Sequence, residues 1–336
     1  MLRYALFRIA LMVPLLIGLS LLVFLIGRVL PGDPVGLAAG PYASQEERQA
    51  IAAEYGLDQP LPVQYWNYVT GVLEGDFGRS LMTRRPVAGD LANYLPATLE
   101  LVFFALLLAI VIGIPLGLIA GVKRNGKTDV AIAAGSVSAM SMPPFFLGLV
   151  LQLVFGMMLS WLPLSGRLPF TVTPPPGVTG LYTIDSLIAG DFTAFRYSLL
   201  HLILPAVTMA LAPIATISRI MRASTIEVLQ KDYVQTERAL GLPSSLILFK
   251  YVSKNAASAT LTLIGLYVGW LLGSTVLVEK VFDWPGIGLY ATNAILNQDF
   301  NPVLAVTLAI GVIFIFANLI VDMLYGVLNP RVSHRK

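Results

Sequence analysis

Six long apolar runs constrain this chain more than anything else in it: Ile9–Gly27, Leu101–Val122, Val130–Ser160, Tyr197–Ser218, Ala256–Val278 and Pro302–Val321. A helix crosses the roughly 30 Å hydrocarbon core of a bilayer in about 20 residues. Backbone N–H and C=O groups find no water there, so only helices and closed barrels span it. Runs of this length predict an all-α membrane protein with six transmembrane helices. Composition agrees, at 56% hydrophobic, 12% charged and a mean hydropathy of +0.77, where soluble domains are about one-quarter charged. The third run contains Pro143-Pro144, which predicts a kink or a break. Arg3 and Arg8 precede the first run, and it exceeds the 7–15 apolar residues, approximately, of a cleaved leader. It reads as an uncleaved span.

Charge placement orients the spans. The turn after the second run carries Lys123, Arg124 and Lys127, and the tail carries Arg331, Arg335 and Lys336. Residues 281–301 carry Asp283 and Asp299 and no Lys or Arg. Lys and Arg accumulate in cytoplasmic loops, so both termini are expected in the cytoplasm. Two sizeable loops then face outward. Residues 31–96 hold Asp33, Glu46, Glu47, Glu54, Asp58, Glu74, Asp76 and Asp90 against Arg48, Arg79, Arg84 and Arg85. Within them Ser44 and Glu47 have the spacing of a capping box opening a short helix, and Pro62–Leu73 reads as a second helix. The other loop is Trp161–Arg196, with Thr173-Pro174-Pro175-Pro176-Gly177. The expected division is residues 1–96, a first transmembrane helix and large periplasmic loop, and residues 97–336, a core of five transmembrane helices.

Several chemistries lack raw material. There is no cysteine, and the two histidines, His201 and His334, are far apart. Thiolate and histidine-rich metal sites are therefore excluded, and a His-based triad has almost nothing to build on. Gly121-Val122-Lys123-Arg124-Asn125-Gly126-Lys127-Thr128 fits G-x-x-x-x-G-K-[ST] letter for letter. That motif cradles phosphate only between a short strand and a helix, and the run before it is too long for a strand. It reads as a basic turn between spans, with no ATP site.

Gly113, Gly117 and Gly121 recur every four residues, as do Gly265, Gly269 and Gly273. Small residues on one helix face let spans approach closely, which matters where lipid removes the hydrophobic drive. Polar residues within the runs are few: Gln152, Asn318 and Asp322, with Glu100 and Glu279 near span ends. A proton-driven carrier needs a titratable path, so this scarcity points to an energy source on another chain.

One polar stretch, about 222–254, sits between two spans. It carries Arg222, Lys231, Arg238, Lys250 and Lys254 against Glu227, Asp232 and Glu237, the sign expected of a cytoplasmic loop. Gly241, then Pro243-Ser244-Ser245, reads as one helix stopping and another starting. A helix over about Tyr233–Leu240 is expected. Val234, Ala239, Leu242, Leu246 and Phe249 form an apolar stripe that a free connector has no reason to expose. The plain alternative is a solvated connector whose charges set topology.

This stretch resembles the E-A-A…G loop of ABC importer permeases, and in particular the dipeptide, oligopeptide and nickel branch, which reads roughly Y-V-R-T-A-R-A-K-G-L. The matching letters are Tyr233-Val234-Gln235-Thr236-Glu237-Arg238-Ala239-Leu240-Gly241-Leu242. Similar matches run through the chain in order. They are Gly32-Asp33-Pro34, Gly56-Leu57-Asp58-Gln59-Pro60-Leu61-Pro62-Val63-Gln64-Tyr65, Gly75-Asp76-Phe77-Gly78-Arg79-Ser80 and Pro96-Ala97-Thr98-Leu99-Glu100. Glu279-Lys280-Val281-Phe282-Asp283-Trp284-Pro285-Gly286-Ile287-Gly288, Asp322-Met323-Leu324-Tyr325 and Asn329-Pro330-Arg331 complete the series. Gln235-Thr236-Glu237 stands where the broad consensus has E-A-A, and Ser253-Lys254-Asn255-Ala256 where the branch has L-R-N-A.

The resemblance implies a type I ABC importer permease fold in the bacterial inner membrane, and the first of two paired permeases. Implied partners are a second homologous permease, two cytosolic ATPase subunits that bind ATP and Mg²⁺, a periplasmic substrate-binding protein and the surrounding lipid, with no nucleic acid. No cofactor or metal is expected on this chain, and no enzymatic activity. Tyr233, Val234, Thr236, Glu237, Arg238, Ala239, Gly241 and Leu242 would form the ATPase-coupling loop. The implied cargo is di- or oligopeptides, with nickel, glutathione, opines and oligosaccharides as alternatives. A self-sufficient secondary transporter or channel would instead work without nucleotide or partner chains, and an enzyme within the membrane lacks paired catalytic groups.

Overall fold

The computed structural model describes residues 2–29, 35, 44–54 and 58–328. Its helices are α1 (Leu2–Val29), α2 (Gln45–Glu54), α3 (Leu61–Glu74), α4 (Val87–Val122), α5 (Lys127–Ser141), α6 (Pro144–Leu151), α7 (Tyr182–Ile188) and α8 (Phe192–Leu229). There follow α9 (Asp232–Ala239), α10 (Ser244–Leu246), α11 (Ser253–Val281), α12 (Ile287–Leu296) and α13 (Phe300–Leu328). Wider π-helical turns, Gln152–Met158 and Ile247–Val252, extend α6 and lead into α11. Among the described residues there is no strand, only an isolated bridge between Arg79 and Pro86. Gly32-Asp33-Pro34, Gly56-Leu57, Asn329-Pro330-Arg331 and the Asp322 side chain lie outside the described residues.

Five helices among the described residues, α1, α4, α8, α11 and α13, are long and apolar enough to cross a bilayer, and α5 with α6 passes the same test only as a pair bent by 102°, the shape of a broken span or of a re-entrant loop. Proline chemistry places the break. Pro143 and Pro144 have no N–H to return to the carbonyls of Ala139 and Met140, so α5 stops at Ser141. The chain restarts at Pro144, where a first helical residue needs no donor.

Two expected boundaries move. Helix α8 continues through Arg222 to Leu229, so the first part of the charged stretch is an extension of a span. Helix α4 begins at Val87 and runs unbroken through Pro96, so the end of the long loop is also helical. A helix that has nucleated adds one hydrogen bond per residue, and polar side chains do not stop it once it leaves the lipid. The loop's own helices start as their sequence dictates. Ser44 N–H donates to Glu47 Oε2 (2.8 Å) while Glu47 N–H donates to Ser44 Oγ (3.2 Å), a reciprocal cap on α2. Helix α3 starts with Pro62 in its first turn and ends on Gly75 at φ +82°.

Helices α4 and α8 form the most extensive pair. A Cβ on Gly117 would fall 2.5 Å from Met221 Cβ and from Ser218 O, and one on Gly121 2.6 Å from Thr225 Cβ. Gly113 meets Ile217 in the same way. Gly265 and Gly269 lie against Val321 and Phe314 of α13, whereas Gly273 has nothing within 4 Å. The central core gathers Leu101, Met209, Leu271, Phe282 and Trp284 between α4, α8 and α11.

The end of the bundle that carries α7 and α12 is tied by buried carboxylates. Glu279 accepts from Thr98 Oγ1 (2.6 Å) and from Leu289 N–H (2.8 Å), so it caps the first turn of α12. Trp284 Nε1 donates to Ala97 O and Ile287 N–H to Thr98 Oγ1. Glu100 accepts from Thr183 N–H and Oγ1 and pairs with Arg167, whose guanidinium lies 3.6 Å over the Tyr182 ring. Asp299 accepts from Ser80 Oγ (2.6 Å) and Met82 N–H, and Asp90 from Tyr290 OH (2.9 Å). The segments 75–80, 96–100 and 279–288, far apart in sequence, thus meet in one place.

Candidate functional site

The opposite end of the bundle carries an elbow. Helix α9 ends in a Schellman turn: Gly241 N–H returns to Arg238 O (3.0 Å) and Leu242 N–H to Glu237 O (3.3 Å). Gly241 sits at φ +75° with nothing within 4 Å of an added Cβ. Glycine is needed there for its backbone conformation and not for space. Pro243 and the short α10 then turn the chain into α11. Lys231 pairs with Glu227 (2.9 Å) before α9, both side chains being exposed, a contact that contributes little by itself.

The apolar stripe divides. Val234 is fully buried and Leu242 half-buried, both packed with Leu118, Met221, Val228, Ile247, Val252 and Ala256. Ala239, Leu246 and Phe249 stay exposed, and Tyr233 and Leu240 join them. The reversal at Gly241 brings Val234 and Leu242 to the same inner side, which a linear stripe does not capture. Leu240 and Phe249, both large apolar side chains, are each 72% exposed. Of the other residues expected in the coupling loop, Thr236 and Arg238 are exposed and Glu237 is half-buried. Gln235 Nε2 donates back to Leu229 O (3.1 Å). The element is therefore a short helix and turn with Val234 buried on its inner side and an exposed outer face.

Arg222, read from sequence only as a loop charge, forms an ion pair near this elbow. Arg222 Nε and Nη2 grip the two oxygens of Asp129 (2.5 and 2.7 Å), bidentate geometry that is the strongest form of such a contact. Asp129 is buried and also accepts from Asn125 N–H (2.9 Å). It joins the start of α5 to α8. Asp129, Asp90 and Asp299 carry no local sequence signal; only their distant partners make them structural. The basic turn 121–128 connects helix α4 to helix α5, with Asn125 at φ +63°, and its inward N–H is already taken by Asp129. The strand–loop–helix frame of a phosphate loop is not formed there.

Long apolar helices packed through small residues, a helix pair bent at Pro143-Pro144 and an amphipathic elbow at one end describe a polytopic membrane protein. The chain belongs to the family of binding-protein-dependent transport system inner membrane components, whose model matches residues 113–334, while the family's N-terminal model matches residues 1–102. It is accordingly a multi-pass inner-membrane permease. It is 41% identical, over 94% of its length and 93% of the relative's, to a probable D,D-dipeptide transport system permease protein of Escherichia coli (strain K12). A dipeptide transport system permease protein of Alkalihalophilus pseudofirmus is 38% identical over 99% of this chain and 100% of its own. A glutathione transport system permease protein of Pectobacterium atrosepticum is 36% identical over 100% of both.

Proposed function

We propose that this chain is one permease subunit of an ATP-driven importer of di- and oligopeptides. It works with a second homologous permease, two cytosolic ATPase subunits that bind ATP and Mg²⁺, and a periplasmic substrate-binding protein. Full-length similarity to peptide permeases supports the cargo. The exposed Tyr233, Leu240 and Phe249 above the buried Val234 support the coupling role. The basic residues of the turn 123–127 and of the elbow favour the cytosolic side for both.

The elbow receives work and does no nucleotide chemistry. A groove on an ATPase would take the outer face of α9, and ATP-driven closure of the two ATPases would displace it. Val234 passes that displacement to the cluster shared by α4, α8 and α11. Close packing makes these helices move as a body, giving rocking between inward- and outward-open states. The loop-rich end, with its tied carboxylates, forms the periplasmic face.

Reconstitution tests this reading. The whole assembly in vesicles should take up di- to pentapeptides only with ATP and loaded binding protein. Thermal-shift titration of the binding protein with peptides, glutathione, nickel, opines and oligosaccharides identifies the cargo. Concentrative uptake by this chain alone, without nucleotide, would end the proposal.

A further inference from the structure

A cleft of about 690 Å³ opens beside the break in the α5–α6 pair, within the size range of small-molecule sites. One wall is the break itself, Met140 to Pro144; α8 contributes Ala212 and Thr216, and α11 contributes Leu263, Leu266, Tyr267 and Trp270. Tyr267 and Trp270 meet edge to face, with ring centroids 5.7 Å apart. The walls are apolar and polarisable, suited to side chains of varied shape.

Arg219 stands on the same face of α8 as Ala212 and Thr216, seven and three residues after them. Its Nη2 lies 3.4 Å from Sδ of Met140, a wall residue. Arg222, one turn on, is held by Asp129, but among the described residues Arg219 has no carboxylate partner. Arg219 follows directly on Ser218, the last residue of the apolar run, and its side chain is exposed, so it meets the cleft at its rim through Met140. The break supplies the complementary polarity, because the carbonyls of Ala139 and Met140 lack the N–H groups that Pro143 and Pro144 cannot provide.

We infer that this cleft is a contact site for the peptide in transit, with Arg219 receiving the C-terminal carboxylate, the break's carbonyls facing the ammonium end, and the Met140–Tyr267–Trp270 walls taking apolar side chains. The inference rests on the peptide-import reading above. A guanidinium–carboxylate contact selects a free peptide C-terminus without any demand on side-chain identity.

The test uses the full assembly with a photo-crosslinking amino acid at Leu266 and a radiolabelled apolar tripeptide at millimolar concentration, without binding protein. Label should attach to this chain. Free-acid tripeptide should compete about tenfold better than its C-terminal amide, and the difference should vanish in Arg219→Gln and persist in Arg219→Lys. A Trp270→Ala variant, as a second probe, should weaken competition by tripeptides with aromatic side chains more than by trialanine. Absence of label in an assembly that imports peptides would overturn this site and leave peptide import standing. An unchanged acid-to-amide difference in Arg219→Gln would also overturn it. If the wild-type assembly imports no peptide, both readings fall.

Discussion

Two residues carry most of what single positions decide here. Gly241 at φ +75° has open space around it, so a β-branched replacement meets no clash and only backbone strain, about 1–2 kcal/mol. Gly241→Val should leave the bundle folded, shift the α9 turn, and lower the ratio of peptide transported to ATP hydrolysed in reconstituted vesicles. An unchanged ratio would show that the left-handed turn has no part in coupling. Glu279 is the counterpart at the other end. Its buried carboxylate joins Thr98 to the first turn of α12, so Glu279→Ala strands two polar groups and removes a cap. Destabilisation of roughly 2–4 kcal/mol is expected, read as a lower thermal midpoint of the purified assembly. Its spacing in sequence announced neither partner.

Between elements, close approach decides. Gly117 has no room for a methyl group, because Met221 Cβ and Ser218 O are both 2.5 Å from where it would sit. Gly117→Ala should force α4 from α8, at a cost of about 1–3 kcal/mol, and reduce the yield of folded protein. Gly273→Ala, with nothing within 4 Å, should be neutral or stabilising by up to about 1 kcal/mol, since alanine is the better helix former. Equal behaviour of the two variants in a thermal unfolding assay would contradict this packing. Both glycine triplets look alike as letters, and only the neighbour across the interface separates Gly117 from Gly273. The Pro143-Pro144 break, by contrast, was legible locally, because its cause is the missing donor on two adjacent residues.

At the scale of the whole molecule, the division of the elbow into anchor and free face separates folding from assembly. Leu240→Asp and Phe249→Asp place charge on exposed positions. The permease should therefore stay as stable as the wild type while retention of the ATPase subunits in affinity purification falls by more than tenfold. Val234→Asp buries that charge among Met221, Ile247 and Val252, so it should destabilise the permease before any partner is added. Normal ATPase retention by the two surface variants would place the docking face elsewhere.

The amino-acid sequence by itself determined the helical class, the approximate place of the long apolar helices, the break and the elbow. Each depends on chemistry local to a segment: length of apolar run, proline's missing N–H, glycine's access to positive φ. The tertiary structure decided which face of α9 is inward, which glycines bear a neighbouring helix, and how segments 75–80, 96–100 and 279–288 converge on Asp299, Glu279 and Glu100. Those facts depend on pairs far apart in the chain, from Glu100 with Thr183, 83 residues apart, to Ser80 with Asp299, 219 apart. A hydrogen bond between such residues forms only after packing has brought them together.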